Sequence, residues 1–387
     1  MCQATKNLFC DTTIFRSKTK LAIIIMKIIL SIAFVFVFVS IYGQDKNAKP
    51  PVVFKEKIIK MPKYPIGDFP KKSPTISGIK VIQFVKDSVK LGYVFKGPDN
   101  QIANLISAKP LSQLIQDDID KMYNDNYKKN GDELLFVLKD LRIAERTSFF
   151  EYSYLRFNGE AYLKNAEDKY SFITSIDSVF ITQSSGDVTA WHGVEIENAF
   201  KLLLKQSLGQ IVETKKGNHQ PVSLKHIEDS SMHNFNFPII TQEILIDGAY
   251  ADFNEFLQNK PSISEFETIV QNKSQIYFTK KNKNKTDTLN VWGVCKAGQV
   301  FKYYNSKLIA IEKEGNSFLI ADYAQKANKR NSQIFVGSVL GGLAGALIAT
   351  SNKNTALILT MNISHISNKQ KQPEATLIDM KNGEFSF

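Results

Sequence analysis

From Ile76 onward, apolar and polar residues alternate in short runs, Ile79 to Val85 and Val89 to Phe95, a period of two that predicts β-strands. Leu111, Leu114, Ile115, Ile119 and Met122 then recur at helical spacing, which predicts an amphipathic helix. Glu133 to Ile143 reads as a strand. Phe149 to Leu163 and Tyr170 to Ile181 are longer alternations rich in Phe, Tyr, Ile and Val, suited to antiparallel strands with one buried face. Val194 to Val212, with Ala199, Phe200, Leu203, Leu204, Leu208 and Ile211, predicts a second helix. The order β-β-α-β-β-β-α describes an α+β domain over 76–212, an antiparallel sheet with two packed helices.

Residues 213–238 are polar and without period, and are expected to be a linker. A β-rich domain follows over 239–325, a small meander or open barrel. Its expected strands are Glu243 to Ile246, Ser274 to Lys280, Thr288 to Cys295, Val300 to Tyr304, Leu308 to Lys313 and Phe318 to Tyr323. A short helix, Asp252 to Gln258, is stopped by Lys260-Pro261. Ala297-Gly298, Asn305-Ser306 and Gly315-Asn316 supply turn chemistry. The basic run Lys280 to Lys285 reads as a solvated connection. C-terminal strands are expected within 351–387, where Asn382-Gly383 signals a hairpin.

Between these parts lies a glycine-zipper helix, 333–350. Gly337, Gly341 and Gly345 recur every four residues, joined by Gly342, and form a flat helix-packing or membrane-contact stripe. Each glycine costs a helix about 1 kcal/mol relative to alanine, so the segment needs a partner. Its apolar run of sixteen residues reaches only ~24 Å against a hydrocarbon core of ~30 Å. A membrane-proximal or self-associating hairpin is the expectation.

Upstream, Met26-Lys27 opens an apolar run, Ile28 to Val39, that breaks at Ser40 to Gly43, the pattern of a secretory signal occupying 1–43 with its start at Met26. Read from Met1, the same stretch describes an uncleaved signal anchor. Removing 1–43 leaves 344 residues and lowers the formal charge from +11 to +7. This excess favours anionic surfaces, and export disfavours nucleic acid as a partner. Residues 44–75 hold six of the twelve prolines and many lysines, and read as an extended leader. Cys2 and Cys10 precede Met26, so Cys295 is left alone with no disulfide partner. No cysteine follows the apolar run, so a lipid anchor of the lipoprotein kind is not expected.

Candidate chemistry is sparse. Asp187, His192 and Glu195 cluster at the entry of the second predicted helix, with His192 and Glu195 on one face. They are polar-site candidates, although helix entry alone explains an acidic residue there. No nucleophile elbow, zinc-protease helix, phosphate loop or dinucleotide fingerprint occurs, and no cofactor or catalytic residue is assigned.

At Trp292-Gly293-Val294-Cys295, at the glycine-rich segment and at Leu377 to Glu384, the second half resembles uncharacterised exported envelope proteins of Gram-negative bacteria. The β/α order of 76–212 is similar to periplasmic auxiliary lipoproteins, from which the chain departs by lacking the lipid-bearing cysteine. With the signal-like start and the glycine stripe, the expectation is a periplasmic or envelope protein with a non-catalytic binding or scaffold role, and with an envelope protein, a membrane surface or a second copy as partner. The alternative is an exported hydrolase whose catalytic groups are scattered along the chain.

Overall fold

The longest alternating runs form the centre of an eight-stranded sheet. The computed structural model describes residues 54–63, 74–85, 89–97, 99–147, 150–217, 220–232, 236–271, 275–331 without 283 and 284, and 359–387 without 362, 367, 369 and 370. The signal segment and the glycine stripe, Gly337, Gly341, Gly342 and Gly345, lie outside these residues. Strands β1 (Glu56–Ile58), β2 (Ile76–Gln83), β3 (Lys90–Lys96) and β4 (Gln101–Ile106) precede helix α1 (Leu111–Tyr123). Then come β5 (Asp132–Thr147), β6 (Glu151–Lys164), β7 (Lys169–Ser184), α2 (His192–Lys216) and β8 (Val222–Ser223). The fold class is α+β.

Strands β5, β6 and β7 run antiparallel, with Leu155 between Ile143 and Phe180. On the other side of β5 the pairing is parallel, Val81 opposite Phe136 and Gly92 opposite Ile143. A bulge between Leu138 and Asp140 restores the inward alternation, so Leu141 and Ile143 join Leu134, Phe136 and Leu138 in the core. Helices α1 and α2 cover this face with Ile115, Ile119, Ile196, Phe200, Leu203 and Leu208. Phe157 meets Phe200 edge to face at 5.0 Å, the geometry that aromatic quadrupoles favour.

Among the strands of the first sheet, β1 and β4 were invisible in the apolar pattern. β4 follows the turn at Gly97 and Asn100, both at positive φ, and Asn104 interrupts its alternation. β1 belongs to the Pro/Lys-rich segment expected as a leader. It is held through its main chain, parallel to β4, and Ile59 N donates to Ile106 O at 2.8 Å. Such pairing leaves no side-chain period to read.

The polar stretch expected as a linker carries β8, which pairs with Tyr170, and helix α3 (Leu224–Met232). Ile227 is buried there against Leu135, Val137 and Tyr170. A single buried apolar residue per helix makes no stripe, which is why the segment reads as aperiodic.

Beyond it lie α4 (Pro238–Thr241), β9 (Gly248–Tyr250), α5 (Phe253–Leu257), β10 (Glu267–Gln271), β11 (Gln275–Asn282) and β12 (Lys285–Leu289). The chain continues through β13 (Gly293–Lys296), β14 (Gln299–Tyr304), β15 (Lys307–Glu314), β16 (Ser317–Ile320), β17 (Leu377–Ile378) and β18 (Phe385–Ser386). β10 to β12 form a three-stranded sheet, and β9 with β13 to β18 a seven-stranded antiparallel one. Its turns at Ala297-Gly298 and Asn305-Ser306 take positive φ, as does Gly383 in the last hairpin. Phe256 of α5 anchors this second core, stacked on Trp292 at 4.4 Å and edge-on to Phe318 at 5.0 Å.

Two strand expectations shift. Residues 243–246 are not a strand, because Asn259 pairs their main chain: Ile246 N donates to Oδ1 at 3.1 Å and Nδ2 donates to Ile244 O at 2.9 Å. Ile244 itself is 80% exposed. The run Thr288 to Cys295 is split at 290–292, where the chain leaves the three-stranded sheet for the larger one.

Both sheets belong to one body spanning Phe54–Phe387. The second face of β5 and β6 is covered by C-terminal residues, with Ala144, Tyr152 and Tyr154 against Ile366 and Phe387. Tyr154 OH donates to Lys371 O at 2.5 Å. Among the described residues no helix is long and apolar enough to cross a membrane.

Candidate functional site

Strand parity on β5 and β6 turns Glu145 and Ser153 toward α2, and the first turn of that helix places His192 and Glu195 over them. His192 Nε2 lies 2.6 Å from Glu145 Oε1, and Nδ1 lies 3.0 Å from Ser153 Oγ and 3.4 Å from Glu195 Oε2. Ser153 Oγ donates to Glu195 Oε2 at 2.6 Å. Glu145 also accepts from Thr189 Oγ1 at 2.9 Å and from Phe95 N at 2.5 Å. The result is a carboxylate, imidazole, hydroxyl, carboxylate chain.

Burial pulls the His192 pKa down, but hydrogen bonds to Glu145 and Glu195 and their negative charges outweigh it and lift it to about 9. Burial pushes Glu195 up, and hydrogen bonds from His192, Ser153 and Thr182 reverse this and hold it below the usual carboxylate range. The imidazole is therefore a cation at neutral pH, with both ring nitrogens donating.

A serine, a histidine and a glutamate in sequence contact invite comparison with a nucleophilic triad. Such a triad needs a neutral imidazole to take the serine proton and room for a carbonyl at the serine oxygen. Here the imidazole is already protonated, Ser153 donates to Glu195, and both Ser153 and His192 are 0% exposed. The arrangement stores charge and fixes α2 on the sheet.

Of the three sequence candidates, the structure joins His192 and Glu195. Asp187 stays apart on an exposed turn, where Oδ1 accepts from Thr189 N at 2.7 Å. Glu145 and Ser153 were missed because they lie far from His192 in sequence. The available signal was a glutamate and a serine at inward positions of otherwise apolar strands. Among the described residues no group of three or more His, Cys, Asp or Glu is arranged to hold a metal. Cys295 is buried, and burial with the Asp247 charge pushes its thiol up to about 11.

A second feature is open. Between β5 and the C-terminal sheet lies a cleft of about 430 Å³, with Leu91, Leu141, Leu319 and Leu377 in its walls. Lys90 crosses toward the second sheet to pair with Glu314 at 3.1 Å. Arg142 is held by Asp140 at 2.8 and 2.6 Å and donates to Ser386 Oγ at 3.3 Å and to the Phe387 oxygen.

A scan against protein-family models finds no match, and a search of curated proteins finds no similar sequence. Among solved structures, the crystal structure of protein XCC0632 from Xanthomonas campestris, described under the family model DUF330, is similar at a TM-score of 0.27 and 11% identity. The match covers 41% of this chain and 98% of that one.

Proposed function

We propose that the chain is an exported, non-catalytic component of the cell envelope that binds or scaffolds a partner. The observation that carries this reading is the contrast between its two polar features. The residues of the His192 cluster are sealed, charged and spent on one another, whereas the cleft between the two sheets is open and lined both by apolar residues, Leu319 and Leu377 among them, and by seven charged side chains. A concave surface that combines apolar walls with polar groups is the usual form of a binding site. The signal-like run Ile28 to Val39 supports export, and the stripe Gly337, Gly341, Gly342 and Gly345 supports membrane contact or self-association.

Cell fractionation with N-terminal sequencing tests the reading. The mature protein is expected outside the cytoplasm with a first residue close to Gln44. Recovery from cytosol with the leader intact overturns the envelope assignment, and turnover of an ester or peptide substrate that is abolished by Ser153→Ala overturns the non-catalytic one.

A further inference from the structure

Strand β7 is open along one side. β6 pairs with it over its whole length, but β8 meets its other side only at Lys169 and Tyr170. Among the described residues no strand lies beyond 171–184 on that side, and the main chain there makes no hydrogen bond to it. A bulge at Ile173 interrupts the edge, so 174–184 is its regular part. Exposed sheet edges are ordinarily guarded against pairing by lysine, proline or bulges. Residues 174–184 contain no proline and one charged side chain, Asp177, which is bound by Arg156 and by Asn158 Nδ2 at 3.0 Å.

The helix beside this edge says what covers it. Thr174 Oγ1 donates to Gln206 Oε1 of α2 at 3.5 Å, which turns that flank of the helix toward the open side of β7. Leu202 and Gly209, one turn before and one turn after Gln206, share the flank. Leu202 is 36% exposed, and a Cβ at Gly209 would meet nothing within 4 Å. A peptide strand added to the edge would leave Leu202 in water. A second copy related by a two-fold axis brings a strand and a helix together, β7 to β7 and α2 to α2, with Gly209 leaving space for the helices to approach.

From this we infer that the chain forms a two-fold dimer through β7 and α2, the first sheet of one copy continuing into that of the other. An axis at Val179 pairs the whole of 174–184, with Val179 opposite itself, Ser175 opposite Gln183 and Asp177 opposite Ile181, so the two Asp177 side chains do not meet. A strand pair of this length supplies about ten main-chain hydrogen bonds, the usual complement of a stable interface. This deepens the proposal of a scaffold component and rests on it.

The test is sedimentation velocity of the full chain, in detergent-free buffer, across a range of protein concentration. A monomer-dimer equilibrium is expected. Ser175 and Gln183 are both exposed, and Ser175→Lys with Gln183→Lys sets like charges opposite each other across the axis. This variant is expected to weaken the dimer by about tenfold or more with the circular dichroism spectrum unchanged. Ser175→Lys with Gln183→Glu sets opposite charges there and is expected to restore it. Leu202→Glu is expected to weaken the dimer by about tenfold as well, an effect that strand pairing alone would not give. A monomer at every concentration overturns the inference. So does association that survives the double lysine variant, which then runs through another surface such as the glycine stripe, or a Lys/Glu pair that fails to restore the dimer, or indifference to Leu202→Glu. Recovery of the protein from cytosol sinks the envelope reading instead and leaves the sedimentation result to be judged by itself.

Discussion

His192 Nε2 stands 2.6 Å from Glu145 Oε1, a pairing across 47 positions of the chain that clamps the start of α2 to the middle of the sheet. Because the folded pKa is about 9 against an ordinary 6.5, the protonated form stabilises the fold. This contribution is complete below pH 6.5 and is lost as pH rises through 9. Its size is of the order of 3 kcal/mol. Urea midpoints measured at pH 6.5 and 9.5 are expected to fall over that window, and His192→Gln is expected to lower stability at pH 6.5 and flatten the dependence.

Asp118 of α1 adds to the same loss of stability with rising pH in a lower window, because there the fold favours the neutral form. It is 2% exposed, and burial, followed by the charge of Glu197 on α2, raises it to about 6, only partly countered by Lys121 and Lys201. Its Oδ1 has no hydrogen-bond partner among the described residues. Ionisation therefore weakens the folded state as pH rises from 3.8 through 6. Asp118→Asn is expected to stabilise the protein at pH 7 by about 1–2 kcal/mol and to give no gain at pH 3.5, read from thermal unfolding.

Arg330 and Glu374 form a buried pair, with Nη2 at 2.9 and 3.0 Å from the two carboxylate oxygens and Tyr323 OH donating to Oε2 at 3.2 Å. Removing one partner strands a buried charge. Glu374→Ala is expected to cost about 3–5 kcal/mol in denaturant unfolding, whereas the double replacement Arg330→Met with Glu374→Leu is expected to cost much less.

Gly92 has φ of 139°, and a Cβ at this position would collide with the Ile143 carbonyl. The contact is where β3 rejoins β5, so the strand cannot sit there with a side chain of its own. Gly92→Ala is expected to destabilise by about 3 kcal/mol, seen as a lower Tm, and to loosen the cleft wall in hydrogen exchange.

Much of the architecture followed from period alone. α1 and α2 announce themselves because Ile115, Ile119, Phe200, Leu203 and Leu208 each face one buried surface. β5 to β7 do so because their alternation is long. β1 and β4 did not, since main-chain pairing fixes them and leaves their side chains mixed. α3 buries essentially one apolar residue, Ile227, which no periodicity reveals. At the polar cluster, His192 and Glu195 were adjacent enough to be singled out, but Glu145 and Ser153 come into place only through the register of β5 on β6. The cleft is not local to any segment, because its walls are contributed from residues 84 to 387.

The Arg142 to Ser386 bond joins residues separated by 244 positions, and Phe387 rests on Tyr154 at 6.2 Å between ring centres. Until the ribosome has delivered the closing hairpin, Tyr152 and Tyr154 have nothing to lie against and the first sheet presents a sticky side to its surroundings. Non-local closure of this kind slows folding and lengthens exposure to aggregation. A chain cut before residue 359 is therefore expected to aggregate more readily than the full chain, because Tyr152 and Tyr154 lose their cover.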